Sequence, residues 1–293
     1  MDFFHARVGH AGAFDWTGAG ANSIIRASEH GRRGSPQLRV LRILLAPALI
    51  GAASLAGRRW GPAVSGWLVG LPLTSAPVTF LLALEHGPAF AAQVALGTLA
   101  GTLSQVLFAL VYARLARRRH GWGLSFVAGS LAFAASTAML VGLGVPLAAL
   151  ALAAVVVLAL GLHAMPTVAR PTAGAAAPPP RWDLPARMVV ATLIVAALVG
   201  LAPALGPRFT GMLSPFPVYA AILTVFAHRG QGAAAGIGVL RGLLAGLFGF
   251  VGFFVVVAGA IERVGIAAAF VVATLVALAA QLVTLWGLRA ASP

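Results

Sequence analysis

Residues 70–77 read Gly-Leu-Pro-Leu-Thr-Ser-Ala-Pro, and they sit inside a run that carries no charged residue between Arg59 and Glu85. A run of that length crosses a bilayer as a helix. Yet proline cannot donate to the carbonyl four residues back, so Pro72 is expected to free the carbonyl of Leu68, and Pro77 that of Leu73. Freed carbonyls are tolerated at membrane depth only where helices, hydroxyls or water satisfy them. The stretch therefore predicts a membrane span broken near its middle, with Thr74 and Ser75 at the break.

The rest of the chain supports a membrane setting. Of its 293 residues 60% are hydrophobic and only 9% charged, with a mean hydropathy of +0.96, far from the composition of a soluble domain. The net charge of +14 comes from arginine alone. These arginines cluster in short connectors between apolar runs, which is the pattern of a topology signal; nothing resembles a nucleic-acid-binding surface. The chain has no cysteine, and its seven histidines show no i, i+4 pair beside a carboxylate, so neither a metal nor another cofactor is expected.

The fold class expected is all-α, a polytopic membrane protein of about nine transmembrane helices. The spans are 40–57, 63–85, 89–113, 121–142, 145–163, 185–205, 208–228, 232–259 and 264–287. Residues 1–38 are polar and Gly-rich, and read either as a disordered tail or as sequence ahead of a later start codon. Residues 144–184 hold a connector helix and an Ala/Pro-rich linker that runs from Arg170 to Arg181.

Sliding the sequence against itself exposes a repeat at an offset of 145. From Arg42 to Val111, 20 of 70 positions are identical without a gap, well above what a composition rich in Ala, Leu and Gly returns by chance. Arg42 matches Arg187, Gly61-Pro62 matches Gly206-Pro207, Pro72 matches Pro217, Thr79 matches Thr224 and Gly87 matches Gly232. The two four-helix repeats are thus 39–143 and 185–289. Five crossings separate the first helix from its equivalent, so the second repeat is expected to be inverted, an architecture common among secondary transporters.

Two segments, "SGWLVGLPLTSAPVTFLLALE" and "LGPRFTGMLSPFPVYAAILTVFAH", resemble the signature region of small four-helix membrane proteins of unknown function that include a GlpM-like group. The chain resembles two such units fused through one extra helix, over roughly residues 40–142 and 185–287. The resemblance implies a fold and no substrate. The second segment departs from the first, with Val218-Tyr219 where the first has Leu73-Thr74.

In the second repeat Pro217 is expected to free Leu213, and Pro215 to free Gly211. Two broken helices in inverted halves would then converge on one midplane cavity lined by Thr74, Ser75, Ser214 and Tyr219. Gly97/Gly101 and Gly242/Gly246 have small-xxx-small spacing, expected to pack the third helix against the eighth. Arg241 stands about ten residues into the eighth span, roughly 15 Å from its start, and is expected to be the counter-ion of an anionic ligand. All six carboxylates, Asp2, Asp15, Glu29, Glu85, Asp183 and Glu262, fall in the tail or at connectors.

These features together predict a secondary transporter or flippase for an anionic small molecule or lipid, with a non-transporting assembly or scaffold protein as the alternative. No nucleophile with its base, acid pair or metal constellation is assembled, so an enzyme is not expected. The partners expected are the lipid bilayer and that substrate, with no nucleic acid and the oligomeric state open. Arginine asymmetry puts the C-terminus in the cytoplasm and the N-terminus outside, in a cell membrane of the bacterial inner-membrane type.

Overall fold

The computed structural model describes residues 36–140, 143–167, 180, 182–197 and 215–290, with side chains outside 36–46 and 287–290. All regular structure among them is helical. In chain order the helices are α1 (Pro36–Trp60), α2 (Pro62–Val69), α3 (Ser75–His86), α4 (Pro88–Arg117), α5 (Trp122–Leu140), α6 (Leu147–Ala164), α7 (183–197), α8 (Val218–Gln231), α9 (Ala233–Val264) and α10 (Ile266–Ala290). The tail, most of the Ala/Pro-rich linker and residues 198–214 lie outside the described residues.

Two helices form the interior. In their most apolar windows α4 is 56% and α9 61% buried, against 22% to 28% for α5, α6 and α10. Around this pair, α9 packs against α10, α2, α8 and α6, while α4 packs against α5, α6 and α3. The core is built from such residues as Leu99, Phe108 and Tyr112 of α4 and Leu244, Phe253 and Phe254 of α9. The outer helices turn large apolar side chains outward, among them Leu131, Met139, Leu152, Leu160, Leu282 and Trp286. In water that belt would be an aggregation surface; in lipid it costs nothing. Five helices, α4, α5, α6, α9 and α10, are long and apolar enough to cross a membrane. The chain is an integral membrane protein.

Four glycines make the tightest connections. Gly61, Gly87, Gly232 and Gly265 have φ of 95°, 90°, 87° and 83°, and ψ of 161°, 169°, 173° and 168°. Only glycine adopts this region without strain. Each closes the helix before it by donating its N–H four residues back, to Gly57, Ala83, His228 and Ile261 at 2.9 to 3.1 Å. Each also caps the next helix, which begins at the following residue with no loop; Pro62 and Pro88 occupy the first helical position, where a missing N–H is harmless.

Contacts fix the relative directions. Gly51 of α1 lies against Met188 of α7, and Arg58 pairs with Asp183, so α1 and α7 run antiparallel. Gly242 meets Ala63 and Gly246 meets Gly70, so α2 and α9 run parallel. Tyr112 bonds His228. One end of the bundle therefore gathers Arg58, Arg59, Arg114, Arg117, Arg118, Arg119, Arg187 and Arg229.

Candidate functional site

The first helix break spans Gly70 to Thr74. Gly70 closes α2 by donating to Gly66 O at 3.0 Å, and Leu71 N–H reaches Leu68 O at 3.2 Å. The Leu68 carbonyl is therefore not free, contrary to the sequence expectation, because one tighter turn replaces the helical bond that Pro72 removes. Pro77 also differs from expectation. It lies in the first turn of α3, where the N–H has no intrahelical partner to lose, so it starts a helix and does not break one. Thr74 caps α3 with its backbone alone, and its hydroxyl makes no capping bond. Thr74 and Ser75 are both half-buried, whereas Pro72 is buried.

The second break includes Pro215, Phe216 and Pro217. Pro217 is the N-cap of α8, with Ala221 N–H on its carbonyl at 2.8 Å. The carbonyl of Pro215 accepts the Gln105 side-chain amide at 3.0 Å. Phe216 inserts edge-on among Phe108, Phe126 and Phe133, with ring centroids 5.2 to 6.4 Å away. Tyr219 is half-buried and packs on a cluster with Ile50, Ala53 and Ala191; Val69, at the end of α2, touches this cluster as well as the main core. Ser214, Leu213 and Gly211 lie outside the described residues.

The glycine pairs engage partners other than those expected. Gly242 and Gly246 receive α2, against Ala63, Trp67 and Gly70, and in return Gly66 receives the α9 backbone at Val239 and Leu243. A Cβ on Gly70 would come within 2.7 Å of Gly246 Cα. The two helices touch backbone to backbone because small residues face each other on both sides. Gly101 receives Pro215, and Gly97 has open space among the described residues. Although α4 and α9 are neighbours, Gly101, Gly242 and Gly246 take their close contacts from the broken segments.

Arg241 is shallower than expected. Its neighbour Gly242 packs on Ala63, two residues beyond the Gly61 turn and the Arg58-Arg59-Trp60 end of α1. Between Arg241 and Glu262 stand 20 uncharged residues, Gly242 to Ile261, a length of about 30 Å that matches the hydrocarbon core. The helix has 32 residues, more than that length needs, and Arg241 stands where the uncharged stretch begins. It lies five residues, about 7.5 Å, on the arginine side of Gly246, the level of Gly70; Thr74 and Ser75 lie deeper still. The structure thus gathers the breaks at mid-depth and leaves Arg241 at one end.

Three polar clusters are additional to those nominated from the sequence. Asp183 accepts Arg58 Nη2 at 3.0 Å and Arg187 Nη2 at 3.2 Å, with all three joined at the arginine-rich end. Arg187 Nε stands 3.0 Å from the same carboxylate but off the hydrogen-bond line, so that contact is charge pairing alone. The guanidinium also lies 5.2 Å over the ring of Phe226. The i, i+4 spacing of Asp183 and Arg187 carried this signal in the sequence. Tyr112 Oη and His228 Nδ1 are 3.1 Å apart, and Gln281 donates to Gly246 O at 2.7 Å. A groove of about 420 Å³ opens between α3 and α10, lined by Phe80, Ala267, Phe270, Val271, Thr274 and Leu275; none of the nominated residues lines it.

Comparison with known proteins finds no family model, no curated protein and no solved structure that matches this chain.

Proposed function

We propose that the protein is a secondary transporter or flippase whose two halves are inverted repeats, with the substrate handled where the two helix breaks face the middle of the fold. The observation that carries this reading is a pair of contacts. Gly101 touches Pro215, and Gly246 touches Gly70. Adding 145 to 101 gives 246, and subtracting 145 from 215 gives 70, so each contact is the image of the other with the halves exchanged. The antiparallel run of α1 and α7, which the offset makes equivalents, supports inversion. So does the matching backbone of Gly87 and Gly232, whose φ and ψ differ by 3° and 4°.

Under this reading Pro72, Thr74 and Ser75 from one half and Pro215, Pro217 and Tyr219 from the other form the centre, and each half descends from a unit like the GlpM-like four-helix proteins. The substrate carries an anionic group, drawn to the arginine-rich end, which faces the cytoplasm of a bacterial inner membrane. The N-terminus then lies outside. A non-transporting scaffold is the second reading, favoured by the glycine seam between α2 and α9, which leaves no gap between their backbones.

The chain has no cysteine, so single-cysteine variants at Thr74 and Tyr219 can be made without background. In vesicles of both orientations, transport requires an impermeant thiosulfonate to label these positions from each side in turn. Labelling from neither side favours the scaffold. Dithionite quenching of NBD-labelled phosphatidylglycerol in proteoliposomes tests lipid movement directly.

A further inference from the structure

We propose that Arg241 holds the phosphate of a phospholipid in the leaflet at the arginine-rich end. The proposal goes beyond the transport reading and stands without it. Depth is the first reason. Arg241 lies level with Pro62 and Ala63, at the start of an uncharged stretch about as long as the hydrocarbon core is thick, which is where lipid phosphates lie. At the same end Trp60 is 64% exposed with Arg59 stacked 5.8 Å from its ring, as expected of a side chain anchored at the interface.

The second reason is charge. Arg241 is half-buried and makes no ion pair or hydrogen bond among the described residues. The described carboxylates are unavailable to it: Asp183 is held by Arg58 and Arg187, while Glu85 and Glu262 lie toward the opposite end. The other arginines of this end, such as Arg114, Arg117 and Arg229, stand in the last turns of their helices. Arg241 instead lies inside α9 between buried Leu240 and Gly242. Ala234, Gly238, Phe248 and Gly252 share its helical face and are only partly covered. Gly238 meets Pro62 and Gly252 meets Val276, and Ala245 between them is buried, so α2 and α10 flank this face and the half-buried guanidinium keeps part of its surface free between them, with the partly covered ring of Phe248 two turns deeper. Its planar fork suits two phosphate oxygens better than a point charge would.

The test uses the full chain in detergent, with dioleoyl phosphatidylglycerol, dioleoyl phosphatidylcholine and inorganic phosphate as probes. Native mass spectrometry should show retained phosphatidylglycerol whose affinity falls at least tenfold in Arg241→Gln and stays unchanged in Arg229→Gln. Inorganic phosphate should leave the melting temperature unaltered. Equal binding by Arg241→Gln overturns the proposal, and stabilisation by inorganic phosphate alone overturns the lipid as its source. If the Gln variant does not fold, phosphatidylglycerol bearing a headgroup diazirine can be photolysed on the unmodified protein. Adducts at residues 238–245 support the site, and adducts confined to other segments refute it.

Discussion

Asp183→Asn removes one charge from the cluster that clasps α1 to α7 and keeps the side chain's shape. Asp183 and Arg187 have side chains only 10% and 9% exposed, whereas Arg58 is 33% exposed. Removing the carboxylate leaves the Arg187 guanidinium buried beside Phe226 with no counter-charge. Breaking a buried pair from one side costs about 3 to 5 kcal/mol, and the lower figure suits a cluster at a membrane boundary that water reaches. At roughly 2 to 4 °C per kcal/mol, the melting temperature should fall by roughly 6 to 12 °C. Arg58→Ala removes only the exposed partner, and solvent screening holds its cost to about 1 kcal/mol or less. Thermal unfolding of the purified protein, followed by tryptophan fluorescence, should rank Asp183→Asn far below Arg58→Ala. Replacing Asp183 and Arg187 together by leucine should recover much of the loss, because no charge then remains buried. Equal losses from the two single variants, or none from Asp183→Asn, would refute the assignment of the energy to Arg187.

The glycine seam gives a paired prediction. Gly242→Ala sets a Cβ into the backbone of Ala63 and should cost about 1 to 3 kcal/mol or prevent folding, whereas Gly238→Ala meets Pro62 Cβ at an ordinary 3.5 Å and should be neutral or gain up to about 1 kcal/mol of helix propensity; melting temperatures of the two variants decide. Tyr112→Phe should cost about 0.6 kcal/mol, the average for hydrogen bonds between membrane helices, and at most about 1.7 kcal/mol, by leaving His228 Nδ1 without its bond; a neutral result would mean that Nδ1 finds another partner. Gln105→Leu exposes the Pro215 carbonyl and should loosen the second break, seen as faster thiol labelling of a Tyr219→Cys reporter; an unchanged rate would show that Phe216 alone holds it.

Much of the helical layout was legible because burial in lipid requires long apolar runs, and the break after Val69 was legible because Pro72 denies the helix a donor. The connectors were not. Spans were expected to be separated by short loops, but the backbone freedom of Gly87 and Gly232 lets α3 pass to α4 and α8 to α9 through one residue. The helix α9 begins where the sequence placed it and runs five residues further, to Val264, so Arg241 keeps its place near the start; what the sequence could not show is that this place lies level with Pro62 and Ala63. Pro77 was misread because a proline in a first turn and one in mid-helix look alike until the start of the helix is known. Asp183 was taken as a connector charge, since sequence position says nothing of Arg58, 125 residues away.

The single-glycine turns bear on how the protein enters its membrane. Where the end of one helix is the cap of the next, neither helix can complete its terminal hydrogen bonds until both have formed, and α3 with α4 or α8 with α9 is one unit of assembly. Such hairpins should leave the insertion machinery as pairs, since one residue at each corner gives a protease no extended tether to cut. A side chain at Gly87 or Gly232 would strain the hairpin and the completed bundle alike: there is open space around both positions, but the turn holds φ of 90° and 87°, which only glycine reaches freely.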